Sequence, residues 1–103
     1  MSRYILAPFA QEDLVNIRDY YLEEAGSRVA RQMLAEFVEA FRFLARNPRI
    51  GHPRNDLAGD RPVLFWRVRE YLVVYKAETK PLEIVTIVRG SRDIPNVIGK
   101  RRI

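Results

Sequence analysis

Two hydrophobic periodicities divide the chain. In the first half apolar residues recur at helical spacing, and in the second they crowd into short runs. Between Phe9 and Ala25 the residues Ala10, Leu14, Ile17 and Tyr21 fall at i, i+4, i+7 and i+11, which is one face of a helix. Glu12, Asp13, Arg18, Asp19 and Glu23 take the other face. The spacing predicts a helix over 9–25, entered through Ala7-Pro8 because Pro suits a helix start. Glu12 and Asp13 are expected in its first turn, where the helix dipole favours anions, and Gly26 is the expected stop. Ser27 is expected to cap a second helix over 28–46. Its apolar set, Ala30, Met33, Leu34, Phe37, Phe41 and Leu44, makes a broad stripe. Arg42 and Arg46 lie toward its C-terminal end, and Asn47-Pro48 closes it. Two such helices, joined by two or three residues, form an antiparallel helix hairpin.

The remaining apolar runs are strands. Arg3–Leu6 precedes the hairpin. After a loop over 49–61, rich in Gly, Pro, Asn and Asp, come 63–68, 71–76 and 82–89, separated by the turns Arg69-Glu70 and Glu78–Pro81. The chain therefore reads as an α+β fold: an N-terminal strand, a helix hairpin and a three-stranded antiparallel β-meander, all in one domain over 1–103. The strands are apolar on both faces. Alternation puts Leu72, Val74, Ile84 and Val88 on one face and Val73, Tyr75, Val85 and Ile87 on the other. The hairpin covers one face. The second is either a partner surface or is covered by the 49–61 loop and the C-terminal tail.

Charge adds a direction to this layout. The formal net charge is +5, and 15 of the 18 basic residues are arginine, the planar reader of carboxylates and phosphates. Residues 1–26 carry a net −3, 27–49 a net +3 and 50–103 a net +5. An anionic partner meeting the C-terminal half is the implied class. No apolar run reaches the length of a membrane span. The N-terminus lacks the apolar segment of a signal peptide, and the absence of Cys excludes a disulfide framework; the cytoplasm is the expected compartment.

Little in the sequence nominates a catalyst. His52 is the only histidine, and a single loop histidine is usually a surface residue. With no Cys and no second His, a zinc site is not expected. Ser91 has no histidine in pattern to activate it. Phosphate-loop and dinucleotide fingerprints are missing, so neither a metal nor a cofactor is expected. What remains is an arginine constellation: Arg67 and Arg69 on one strand, Arg89 and Arg92 ending another, and Lys100, Arg101 and Arg102 in the tail. Such a set can clamp phosphates, dock an acidic protein segment, or be a solvated face.

Several short patterns then run in a fixed order. They are Ala10-x-x-Asp13-Leu14-x-x-Ile17-x-x-Tyr20-Tyr21, Gly26-x-x-x-Ala30, Leu44-Ala45-x-Asn47-Pro48-x-x-Gly51, Arg67-x-x-x-Tyr71-x-Val73-x-Tyr75 and Ile84-x-x-Ile87-x-Arg89-Gly90-x-Arg92-Asp93. In order and spacing they resemble the ParE branch of the RelE/ParE toxin superfamily. The resemblance implies a strand, helix hairpin and meander fold, and the toxin of a type II toxin–antitoxin module. It implies inhibition of DNA gyrase by binding rather than catalysis, with Arg67, Arg89, Arg92, Lys100, Arg101 and Arg102 toward the target. It also implies a cognate antitoxin whose C-terminal segment lays a helix in a groove and adds a strand to the sheet edge. Leu34, Phe37, Phe41, Val73, Tyr75, Val85 and Ile87 are the residues expected beneath it. RelE-like relatives cut mRNA in the ribosome using basic residues and a late Tyr or His. The stretch after Arg89, Gly-Ser-Arg-Asp-Ile-Pro-Asn, has neither and so departs from that pattern. A ribosome-dependent ribonuclease and a non-toxic interaction domain stay as alternatives.

Overall fold

Residues 3–103 are described by the computed structural model. A short strand β1 (Tyr4–Leu6) leads into α1 (Pro8–Ala25) and α2 (Ser27–Arg46). A four-residue helix α3 (Asn55–Ala58) follows, then β2 (Leu64–Val68), β3 (Tyr71–Lys76) and β4 (Leu82–Arg89), and finally α4 (Ile94–Lys100). The sheet order is β1-β4-β3-β2. The meander is antiparallel, and β1 adds to its far side parallel to β4, with Tyr4 opposite Leu82.

Helix boundaries differ from expectation in small, explicable ways. Pro8 is the first residue of α1, so Glu12 and Asp13 fall beyond the first turn. Ser27 does not cap α2; it is the first helical residue, and Gly26 alone joins the two helices at φ +88°. A linker of one residue in that conformation is open to glycine and strained for any other residue. The 49–61 loop is not structureless: it contains α3, and His52 pairs through its backbone with Phe65. The C-terminal tail, to which no element was assigned from periodicity, forms α4. Pro95 near its start and the spacing of Ile94, Val97 and Ile98 are helical signals that were present in the sequence.

The sheet is covered on both faces. One core lies under the hairpin, where Ala10, Ile17, Met33, Phe37, Phe41 and Leu44 meet Tyr71, Val73, Tyr75, Leu82, Ile84 and Ile87. A second lies under α3 and α4, where Ala58, Ile94 and Ile98 meet Phe65, Val74, Val85 and Val88. The apolar second face is therefore closed by the chain itself. The expected face assignment fails at two residues. Val74 faces Thr86 but Tyr75 faces Ile84, so Val85 is an extra residue in β4. This bulge shifts the alternation by one: Ile84 joins the hairpin core, and Val85 turns to the second core.

One contact fixes the loop after α2. The Tyr75 hydroxyl, at the centre of the sheet, donates to Pro48 O at 2.7 Å and accepts from the Gly51 N–H at 2.8 Å. A Cβ on Gly51 would meet the Tyr75 ring carbons at 2.8 and 2.9 Å, so only glycine fits there without movement.

Candidate functional site: a basic cleft at the sheet edge

Where β1 ends, α1 takes over the edge of β4, and a buried carboxylate makes the join. Ala10, Asp13 and Ile17 are the buried residues of α1. Asp13 accepts from Thr86 Oγ1 at 2.6 Å and from the Ile87 N–H at 2.9 Å. Arg101, arriving from the end of α4, donates through Nη1 to both Asp13 oxygens at 2.8 and 2.7 Å. The Arg101 guanidinium also lies 4.6 Å from the centre of the Phe9 ring, a cation–π distance. Asp13 was expected on the solvent face. It is instead i+3 from Ala10 and i+4 before Ile17, which places it on the buried stripe. That spacing was the available signal.

Beyond this join the edge opens into a cleft of about 290 Å³, lined among others by Asn16, Tyr20, Tyr71, Arg89, Arg92 and Arg101. Arg89 ends β4 with its guanidinium 5.4 Å from the Tyr20 ring centre and 5.7 Å from that of Tyr71. It reaches Glu70 at 3.5 Å. Glu70 also accepts from the Tyr21 hydroxyl at 3.0 Å. Burial pushes the Tyr21 phenol well above its ordinary pKa, and hydrogen bonding to Tyr71 and Glu70 adds to the effect. The Gly90 N–H donates to Glu70 O at 2.7 Å, which ties the β2–β3 turn to the end of β4. Arg92 is exposed and, among the described residues, makes no ion pair.

The sheet separates the expected arginines. Arg89 ends β4 and Arg67 lies on the outer strand β2, with β3 between them, so the sheet keeps the two apart. Arg67 instead belongs to a groove between α2 and β2, with Glu36, Glu39, Ala40, Phe43, Arg46, Trp66 and Arg69. Arg69 takes a positive φ of 53° in the β2–β3 turn. Its guanidinium holds Glu36 through Nε at 2.7 Å and Nη2 at 2.6 Å. That hydrogen bonding holds the Glu36 carboxyl below its ordinary range. Lys100 and Arg102 are exposed beside Arg101. The basic set is thus one cleft holding Arg89, Arg92 and Arg101, a separate groove holding Arg67, and the exposed Lys100 and Arg102 on an anchored tail.

Most residues expected beneath an antitoxin are internal. Phe37, Phe41, Val73 and Tyr75 are fully buried under the hairpin, Ile87 is buried with them, and Val85 lies under α3 and α4. A partner cannot reach them while the fold is intact, because the chain covers both sheet faces. Leu34 is half-exposed. His52 stacks on Trp66, with ring centres 6.3 Å apart, in a surface role. No cluster of metal-ligating residues occurs among the described residues, and no helix there is long and apolar enough to cross a membrane.

A family model described as "ParE toxin of type II toxin-antitoxin system, parDE" matches residues 4–94. Among solved structures, the chromosomal ParDE TA system from P. aeruginosa superposes with a TM-score of 0.71. The identity is 21%, with 86% of this chain and 96% of that chain covered. No curated protein matches the chain.

Proposed function

Because this chain belongs to the ParE toxin family of type II toxin–antitoxin systems, we propose that it poisons DNA gyrase by binding and is neutralised by a cognate antitoxin. The observation that carries the target side is the split of its basic residues. Arg101 is committed to a buried carboxylate, whereas Arg92, Lys100 and Arg102 are exposed without an ion partner among the described residues. Charges already spent on internal pairs contribute little to a partner; free ones at a cleft mouth steer and fix it. Arg89 and Arg92 with the tail are the target-facing set, and catalysis has no part in the action. The setting is the cytoplasm.

The groove between α2 and β2 suits the antitoxin. It offers Phe43 and Trp66, packed with ring centres 5.6 Å apart, beside Arg46 and Arg67. An amphipathic helix with acidic flanks complements that combination. β2 is the outer strand of the sheet, and among the described residues its outer side pairs only at Phe65, with His52. The rest of that edge accepts an added strand. Leu34 and the aromatic pair replace the buried residues as the accessible contacts.

Inducing the protein alone in a bacterium, with DNA and protein synthesis followed separately, tests the toxin reading. DNA synthesis should fail first, with a DNA-damage response. Protein synthesis failing first points to the ribonuclease alternative, and growth without arrest to a non-toxic interaction domain. A folded Arg89→Ala, Arg92→Ala double variant as toxic as its parent removes these arginines from the target site.

A further inference from the structure

We propose that the cleft at the β4 edge binds a nucleoside phosphate unit, with the phosphate on Arg92 and Arg89 and the base on the exposed ring of Tyr20. The inference goes beyond the toxin reading and stands without it, since binding is read on the isolated protein and toxicity in cells. Three observations converge. First, Arg92, exposed and in no ion pair among the described residues, lines the same cleft as Arg89, whose guanidinium lies by two phenol rings and reaches Glu70 only at 3.5 Å. Guanidiniums lining one cleft suit the oxygens of a phosphate. Second, Tyr20 is 45% exposed although it lines the cleft. Its ring is propped edge-on against Tyr21, with centres 5.0 Å apart and planes at 89°. A tyrosine held rigid but wet is a stacking platform for a base. Third, the cleft volume of about 290 Å³ falls just below the ~300–1,000 Å³ usual for small-ligand sites. That is room for a phosphate and sugar, with the base left over Tyr20. Asn16, also in the lining, adds an amide able to donate and accept.

An acidic peptide is the competing ligand class, and the observations favour the nucleotide. A carboxylate would use the arginines but would leave the exposed part of the Tyr20 ring, beyond its contacts with Arg89 and Tyr21, unused. The fixed positive charge is also larger than the pair alone: Lys100 and Arg102 follow on the segment that Arg101 docks, as a chain of phosphates would require.

The test is fluorescence anisotropy of a labelled oligothymidine of about ten nucleotides, within the usual site size for single strands, on the isolated protein. Tyr20→Leu and Arg92→Gln should each weaken binding about tenfold, the scale of one lost stack or one lost charged contact. Tyr20→Phe, which keeps the ring, should bind like the parent. Arg31→Gln, a charge-matched change on exposed α2 surface, should cost less than about twofold. Arg92 and Tyr20 are exposed, so circular dichroism should show both variants folded. Competition by thymidine monophosphate means that a free nucleotide suffices; competition by unlabelled oligomer alone means that a strand is the ligand. Either supports the site. Equal binding by Tyr20→Leu and parent overturns it, as does displacement of the oligomer by polyglutamate at matched charge. Absence of any binding at low salt overturns it too.

Discussion

Removing the Asp13 carboxylate should cost this protein a large share of its stability and release its C-terminal tail. The Asp13 side chain is 8% exposed and accepts from Thr86, the Ile87 N–H and Arg101. Asp13→Ala leaves a buried backbone donor unpaired at the edge of β4, a cost of about 1–3 kcal/mol. It also breaks a largely buried ion pair, for which losing one partner costs about 3–5 kcal/mol. The Arg101 side chain is 24% exposed and can turn toward solvent, so the second cost falls below its usual range. Together the loss is about 3–4 kcal/mol, set against a typical total of about 5–15 kcal/mol. At about 4–8 °C per kcal/mol for a chain of this size, Tm should drop by roughly 12–32 °C. Asp13→Asn keeps an acceptor for Ile87 without the charge and should lose about half as much. Denaturant titration of the purified variants gives these values, and a double-mutant cycle with Arg101→Met isolates the pair. A loss under about 1 kcal/mol for Asp13→Ala, or no coupling to Arg101, refutes the reading that Asp13 anchors the tail.

Three further outcomes follow from the same geometry. Gly51→Ala should destabilise by about 1–3 kcal/mol through overpacking against Tyr75, and Tyr75→Phe by a similar amount through two unpaired groups at Pro48 and Gly51; thermal unfolding checks both, and a neutral Gly51→Ala would mean the loop moves freely. Glu36, held below its ordinary pKa near 4.5 by Arg69, contributes stability that is present above that value and lost as pH falls through its lower folded value. The exposed pair is worth less than about 1 kcal/mol, so Glu36→Gln should lower stability at neutral pH by less than that, leave it unchanged in strong acid, and so flatten the acid limb slightly. Tyr21 and Tyr75 are both raised above the ordinary 10.0, chiefly by burial. Their contribution is full below pH 10 and declines above it, where the unfolded chain sheds phenol protons first; urea midpoints on either side of pH 10 should fall less for Tyr21→Phe than for the parent.

Periodicity determined most of the strand–hairpin–meander order, because α2 is strongly amphipathic and each strand of the meander is an apolar run bounded by turn residues. The limits of β3 and β4 match the expected runs residue for residue, since each is bounded by turn chemistry. The family resemblance was legible for the same reason. Its patterns are sets of residues that meet in space: Asp13 with Ile87, Pro48 and Gly51 with Tyr75, Tyr20 and Tyr71 with Arg89. Tertiary structure decided what periodicity cannot carry. A bulge at Val85 exchanged two residues between faces, because register depends on the partner strand and not on the strand itself. The second sheet face closed under α3 and α4, so candidate contacts such as Val73 and Tyr75 became core. The arginines, alike in sequence, were sorted by their neighbours. Arg101 met a buried carboxylate, Arg67 went to a separate groove beside α2, and Arg89 and Arg92 were left at a cleft beside Tyr20. Charge is a property of a residue, but availability is a property of the fold.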